Sequence, residues 1–409
     1  MSARPRHATT RGLAVSLLAV LMIPAGPSSQ ADPAAAPGDW PQFRFGPRHL
    51  GVSPDETILS TANVDDLGKA WSTPIPSAMH SSPSVVGDRV FVGALDGKLY
   101  AADRESGEVV WSHPDDALPG DTVWTSPAVG GGRVFFAANR PSSVVYAMDA
   151  ETGEELWTHS FFHIVVASPV LVGGMVIFAY NDGTVRALDA ATGATEWTST
   201  MPSGMYASPA AAGGRVFLNV HNNGLVALDL DTGDKLWTAP IPGPQWSSPA
   251  VKGGVVYVGS RDNHTVYAFD VETGDERWHR ATSEWVHTSP AVANGRVYVG
   301  NEAGDVYALR AKNGRVAWRT TLGAGVFGGL TIANGVAYAT TGLEDGKLVA
   351  LDASTGDVLF SDFVGDGDGS GDGDWVVASP AVSDGAVYIG SYEGDAMLTR
   401  FDLEAADGS

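Results

Sequence analysis

A period of about forty residues runs through the chain and constrains its fold more than any other feature. Trp71, Trp111, Trp157, Trp197, Trp237, Trp278 and Trp318, followed by Phe360, stand 40 to 46 residues apart. Five of these tryptophans close one repeated phrase, which opens at Asp103, Asp149, Asp189, Asp229 or Asp270 and carries Ser-Gly or Thr-Gly at a fixed offset. A second marker, Ser-Pro, recurs at Ser82, Ser126, Ser168, Ser208, Ser248, Ser289 and Ser379, and Gly329-Leu330 fills the vacant slot. Eight slots of each kind mean eight units.

One unit, Ser248 to Trp278, shows what each contains. Ser-Pro-Ala-Val leads into Gly253-Gly254, a two-residue hairpin signal. Val255 to Val258 is β-branched and aromatic, as a half-buried strand prefers. Arg261 to His264 is a polar turn, Thr265 to Phe269 a third strand, and Asp270 to Gly274 a second turn. In that turn Asp caps the backbone with its own side chain and Gly supplies positive φ. Glu276 opens a fourth strand. Pro at the start of the first strand fits an edge, where a missing N–H costs nothing. Four-stranded units of this length arranged radially predict an all-β, eight-bladed β-propeller. Trp71 precedes the first Ser-Pro strand, and Ser379 to Asp402 offers three strands with no final Trp. The N-terminal strand is therefore expected to complete the C-terminal three and close the ring, which removes two exposed edges.

The phrase Ala-x-Asp-x-x-Thr-Gly-x-x-x-Trp, as in Ala187 to Trp197 and Ala227 to Trp237, resembles the tryptophan-docking motif of PQQ-type propeller repeats. The repeats cover residues 71–402. The segment Trp40 to Phe43, with Asn63-Val64 and Leu67 to Trp71, is similar to the lead-in of that family. The resemblance implies that Trp71, Trp111, Trp157, Trp197, Trp237, Trp278 and Trp318 pack between blades and bond to the next one. Arg310 for Asp, Phe360 for Trp and Gly329 for Ser depart from the pattern and imply weaker docking around the seventh blade.

The ends read differently from the repeats. Arg4, Arg6 and Arg11 precede an apolar run, Leu13 to Ile23, shorter than the about 20 residues a spanning helix needs. Ser29 and Ala31 suit the −3 and −1 positions of a cleavage site, so residues 1–31 are expected to be a Sec-type export signal cut after Ala31. Residues 32–40 read as a linker, 41–404 as the propeller and 405–409 as a tail. The chain has no cysteine, which excludes disulfides, thiolate metal sites and Cys nucleophiles. It also leaves no residue for a lipid anchor. A net charge of −22 argues against nucleic acid or an anionic membrane as partner.

Strand order puts the loops ahead of Ser-Pro and the turns between second and third strands on one face. Two residues before each slot stand His80, Trp124, Val166, Tyr206, Trp246, His287, Phe327 and Val377, with His163, Trp285 and Trp375 nearby. Aromatic faces give large contact area at low entropy cost, so these positions form a candidate funnel for a flat or extended ligand. The same rings could instead plug the channel. The polar turns around them, among them Asn139, Arg140, Asn181, Asp182, His221, Asn222, Asn223, Arg261, Asp262, Asn263 and Asn301, are what backbone turns select for in any case. Between Asp366 and Asp374 the repeat lengthens. Asp366, Asp368, Ser370, Asp372 and Asp374 alternate with glycine, as Ca²⁺ ligands in a turned loop would, though Val377 stands where an EF-hand needs its acid. No nucleophile elbow, zinc helix or phosphate loop is present.

Two functions follow. The first is an exported, non-catalytic propeller binding a protein or small molecule on its channel face, resembling BamB-like family members, monomeric and without a resident cofactor. The second is a quinoprotein dehydrogenase of alcohols or sugars using PQQ and Ca²⁺. The resemblance disfavours it, because those enzymes are longer and many close a disulfide over the quinone.

Overall fold

The computed structural model describes residues 1–2, 36–140, 142–342, 346–365, 376–392 and 396–404. Eight four-stranded antiparallel blades stand around one axis; in the first seven these four strands follow chain order from the inside outward, and in the eighth the outermost strand comes from the N-terminal side of the chain. The first blade is built from Ser84–Val86, Arg89–Gly93, Leu99–Asp103 and Val109–His113. The fifth runs Ala250–Lys252, Val255–Ser260, Thr265–Asp270 and Glu276–Ala281, as the sequence led one to expect. The ring closes as the half-units required. In the eighth blade Leu67–Pro74 pairs antiparallel with Met397–Leu403, outside Ala386–Gly390 and Ala381–Ser383.

The core lies between blades. Each of eight buried clusters among the described residues joins one blade to its neighbour. In one of them Ile177, Ala187 and Trp197 of the third blade meet Val216, Leu218 and Val226 of the fourth. Both faces of every sheet are therefore covered, which explains why the second and third strands are nearly continuous apolar runs instead of alternating ones.

The tryptophans sit at these joints. Trp71, Trp157, Trp197, Trp237, Trp278 and Trp318 each donate from Nε1 to a carbonyl in the next blade, at Arg104, Ala190, Leu230, Val271, Ala311 and Ala353, over 2.8–3.2 Å. Trp111 occupies the equivalent place against Gly153, without that bond. Each ring lies on the glycine of the next Asp turn. A Cβ added to Gly233 would come within 2.5 Å of the Trp197 ring, and one at Gly107, Gly153, Gly193, Gly274, Gly314 or Gly356 would lie 2.5–2.8 Å from its own indole. The turn glycines thus supply both a positive φ and room for an indole. The Asp side chains hold the turns; Asp189 accepts from the N–H of Ala191 and Thr192 and from the Thr192 hydroxyl. Where Arg310 replaces Asp, the turn keeps its backbone bonds and still receives Trp278.

The lead-in to the first repeat is an ordered part of the body. Trp40, expected at the end of a linker, is buried and bridges Val85. From there residues 40–53 travel round the inner rim and meet the middle residue of successive innermost strands. The N–H groups of Val85, Val129, Ala211, Val251, Val292 and Ile332 donate to the carbonyls of Trp40, Pro41, Pro47, Arg48, Leu50 and Gly51. Leu171 donates to the Gln42 side chain. The segment ends as Val52–Ser53, a parallel fifth strand on the seventh blade. Buried Glu56 then ties it to the eighth, taking the N–H groups of Ile58, Leu59 and Gly385. Innermost strands of a ring turn one edge to the channel, and this segment satisfies that edge in seven of eight blades.

Candidate functional site

The residues preceding each Ser-Pro slot converge on the channel mouth. A cavity of about 400 Å³ is lined by all eight of them: His80, Trp124, Val166, Tyr206, Trp246, His287, Phe327 and Val377. Ile164 adds to the wall and Phe43 of the lead-in segment reaches the floor. The rings touch one another in groups. Tyr206 stacks on Trp246, centroids 5.1 Å apart at 18°. His80 lies between Trp124 and Tyr392, each at 4.3 Å, and His287 packs beside Phe327. Trp246 remains 45 % exposed, so one face of that stack is open. The arrangement is a lined opening with free ring faces and not a closed plug.

Below the rings lies a feature that sequence reading did not foresee. The serines of the Ser-Pro slots form a hydrogen-bonded circle that is broken at one link, between Ser289 and Gly329. The N–H of Ser82 donates to Ser126 Oγ, and so on through Ser168, Ser208, Ser248 and Ser289; Gly329 donates to Ser379, and Ser379 back to Ser82. The seven bonds span 2.8–3.0 Å. The signal was present in the repeat itself, since one serine at one offset in seven of eight units must stack into a ring. Each Oγ here acts as acceptor, which leaves its proton free to turn toward a guest.

The electrostatics of the cavity are neutral. Among the described residues its wall carries no carboxylate, ammonium or guanidinium. Burial lowers the His80 imidazole to about 4. His287 is lowered to about 4 as well, by burial first and then by the charge of Arg261. Both rings are uncharged at neutral pH.

Other expected site residues lie elsewhere. His163 is exposed and faces Asp182 at 3.3 Å. Trp285 stands at the rim under the guanidinium of Arg261, 4.2 Å from the ring centroid, and adjoins His287 without lining the cavity. Of the polar turns, Asn139 bonds the Val165 backbone and Arg140 pairs with Asp116 and Asp121, so these serve the loops that hold them. Trp375 and the loop residues Asp366, Asp368, Ser370, Asp372 and Asp374 lie outside the described residues.

Quinoproteins of this fold carry PQQ, a tricarboxylate held with a divalent cation, and the donor set here does not suit it. The described wall offers neither cations for the carboxylates nor acidic oxygens for a metal, and no group of three metal-ligating side chains occurs among the described residues.

Comparison with known proteins agrees with the architecture. The family model for the outer membrane protein assembly factor BamB matches residues 59–137, 116–249 and 243–407. A polyvinylalcohol dehydrogenase from Pseudomonas sp is 29 % identical over 89 residues, which is 22 % of this chain and 14 % of that protein. The quinohemoprotein alcohol dehydrogenase of Comamonas testosteroni superposes with a TM-score of 0.75 at 18 % identity, over 92 % of this chain and 82 % of its own. BamB from Moraxella catarrhalis superposes at 0.54 and 20 % identity, over 67 % of this chain and 94 % of its own. The chain belongs to the PQQ-like propeller family of BamB.

Proposed function

We propose that this propeller is an exported, monomeric binding protein that takes an uncharged, flat or extended group, such as an aromatic or sugar ring of a partner or free ligand, into its channel mouth. The observation that supports it is the convergence of Trp124, Tyr206, Trp246, His287 and Phe327 over a circle of serine hydroxyls in a cavity without charge. Ring faces supply contact area and the hydroxyl protons orient the guest. No covalent step is needed. The quinoprotein alternative has the likeness to alcohol dehydrogenases in its favour and the donor set of the cavity against it.

The test is a tryptophan-fluorescence titration of the full chain with aromatic peptides and oligosaccharides. Trp246→Ala opens one side of the Tyr206 stack at an already half-exposed position, so folding survives. Its affinity for a ligand that quenches the parent is expected to fall at least tenfold. Stoichiometric uptake of PQQ with Ca²⁺, accompanied by oxidation of an alcohol or sugar, would overturn the reading in favour of the dehydrogenase.

A further inference from the structure

Large apolar side chains that face solvent on the mouth side are confined to one sector. Leu118, in the connection entering the second blade, is 62 % exposed, and Phe162 and Ile164, in the connection entering the third, are 90 % and 36 % exposed. Apart from the one bearing Trp246, no other connection on this face exposes such a residue among the described residues. The two connections are neighbours, since they lead into adjacent blades. Both are pinned by hydrogen bonds. Leu118 and Asp121 close a turn on each other through bonds of 2.8 and 2.9 Å, and Arg140 of the second blade holds Asp121 at 3.3 Å. The Ile164 carbonyl accepts from the Asn181 N–H. Phe162 directly follows the outermost strand of its blade, whereas Ile164 reaches the cavity wall beside Trp124. An apolar strip thus runs from the perimeter of the ring inward to the mouth.

The charges beside this strip are of one sign. Asp115 and Asp116 are exposed just ahead of Leu118, Asp121 closes its turn, and Asp182 faces His163 between Phe162 and Ile164. Against these carboxylates the sector sets one guanidinium, Arg140, already shared between Asp116 and Asp121. Asp96 and Lys98, on the turn packed against Asp121, cancel. Such a border excludes most occupants. A second copy of this chain or an anionic membrane would bring like charge against like. An oligosaccharide finds neither a stacking face nor a hydrogen-bonding group in the side chains of Leu118 and Ile164. A polypeptide with bulky apolar side chains set among lysines or arginines meets both demands, contact along the strip and opposite charge at its border.

We propose that the sector of Leu118, Phe162 and Ile164 is a docking surface for a basic polypeptide segment, whose apolar side chains cover the strip while its cations face Asp115, Asp116 and Asp182. The strip lies outside the serine-floored cavity, so the surface is a separate claim from the ring bound there, which the same segment can supply.

Random dodecapeptides displayed on phage are to be panned on the immobilised full chain, and the winning peptide labelled for anisotropy titration. Enriched peptides are expected to combine aromatic or bulky aliphatic residues with an excess of lysine and arginine, and their binding to weaken roughly threefold or more between about 50 and 300 mM NaCl. The double variant Leu118→Ser, Phe162→Ser alters only exposed side chains, so folding survives, and its affinity for the winning peptide is expected to fall about tenfold. Trp246→Ala separates this surface from the mouth. Loss in the double variant with Trp246→Ala unchanged supports the docking surface and counts against the mouth. Loss in Trp246→Ala with the double variant unchanged overturns the docking surface and leaves the mouth standing. Neutral or acidic winners, no enrichment over an uncoated surface, or binding to phosphatidylglycerol vesicles that depends on Phe162 overturns it as well.

Discussion

The glycine of each Asp turn shows how one residue type meets two demands, and the demands can be separated by experiment. Gly233, in an Asp turn, and Gly254, in a hairpin between first and second strands, both have a φ of +74°, and both would strain under a side chain. They differ in what the side chain would meet. At Gly233 a Cβ falls within 2.5 Å of the Trp197 ring, whereas at Gly254 the nearest atom is a flexible arginine nitrogen 3.9 Å away. Gly254→Ala therefore carries only the backbone term, about 1 kcal/mol. Gly233→Ala carries that term plus the displacement of an indole wedged between blades, a further 1–3 kcal/mol or so by the cost of overpacking. Urea denaturation should show the larger shift in midpoint for Gly233→Ala at unchanged slope. Equal losses in the two variants would mean that the ring makes way freely, and that indole-on-glycine packing does not hold the blades.

The lead-in segment and the seventh blade mark where the chain could and could not be read as elements. Strand number, blade number, the closing strand and the ring of −2 residues were all legible, because a repeated residue at a repeated offset in a closed ring must form a circle. The path of residues 40–53 was not. Its contacts are carbonyls meeting the N–H groups of Val129, Ala211, Val251, Val292 and Ile332, and backbone pairing leaves little trace in side-chain pattern. The choice of Phe360 has a cause in topology that the sequence concealed. Each of the seven tryptophans at the blade joints lies on a glycine turn between the third and fourth strands of the next blade, and in the eighth blade those strands come from opposite ends of the chain. No such turn exists there to receive an indole, and Phe360 meets Phe401 instead. The segment makes its own prediction. If it satisfies the inner rim, those five amides should exchange with solvent as slowly as the amides paired within the second strands of the blades. Exchange within minutes at neutral pH, as for an open sheet edge, would show that the segment leaves the rim readily.

Across the whole molecule, charge and burial make opposite claims on the response to acid. The chain is acidic, with a net charge of −22 and an isoelectric point near 4.6, so lowering the pH from 7 relieves self-repulsion and on that ground should stabilise it. The buried imidazoles act the other way. His80 and His287 are lowered to about 4 from 6.5, and His49 to about 3, in each case chiefly by burial. Their folded-state values lie below the unfolded one, so the unfolded chain binds more protons between pH 6.5 and about 4. Their contribution is fully present above pH 6.5 and is lost as the pH falls through that window. Shifts of this size are worth about 3 to 5 kcal/mol per ring once fully developed, and three rings outweigh the relief of a surface repulsion that salt already screens. The turn carboxylates act later. Asp103, Asp149 and Asp352 are held below the usual 3.8 by hydrogen bonds from their turns, and Asp270 is held to about 2 first by Arg277, so their contribution disappears only below about pH 4. The melting temperature should therefore fall in two stages, the first between pH 6.5 and 4.5 despite the approach to zero net charge. Replacing His80 and His287 together by Phe keeps rings in the mouth and removes two of the titrating groups. That variant should lose much of the first stage and keep the second. A variant whose pH profile superposes on the parent's would place the acid response elsewhere than in the channel.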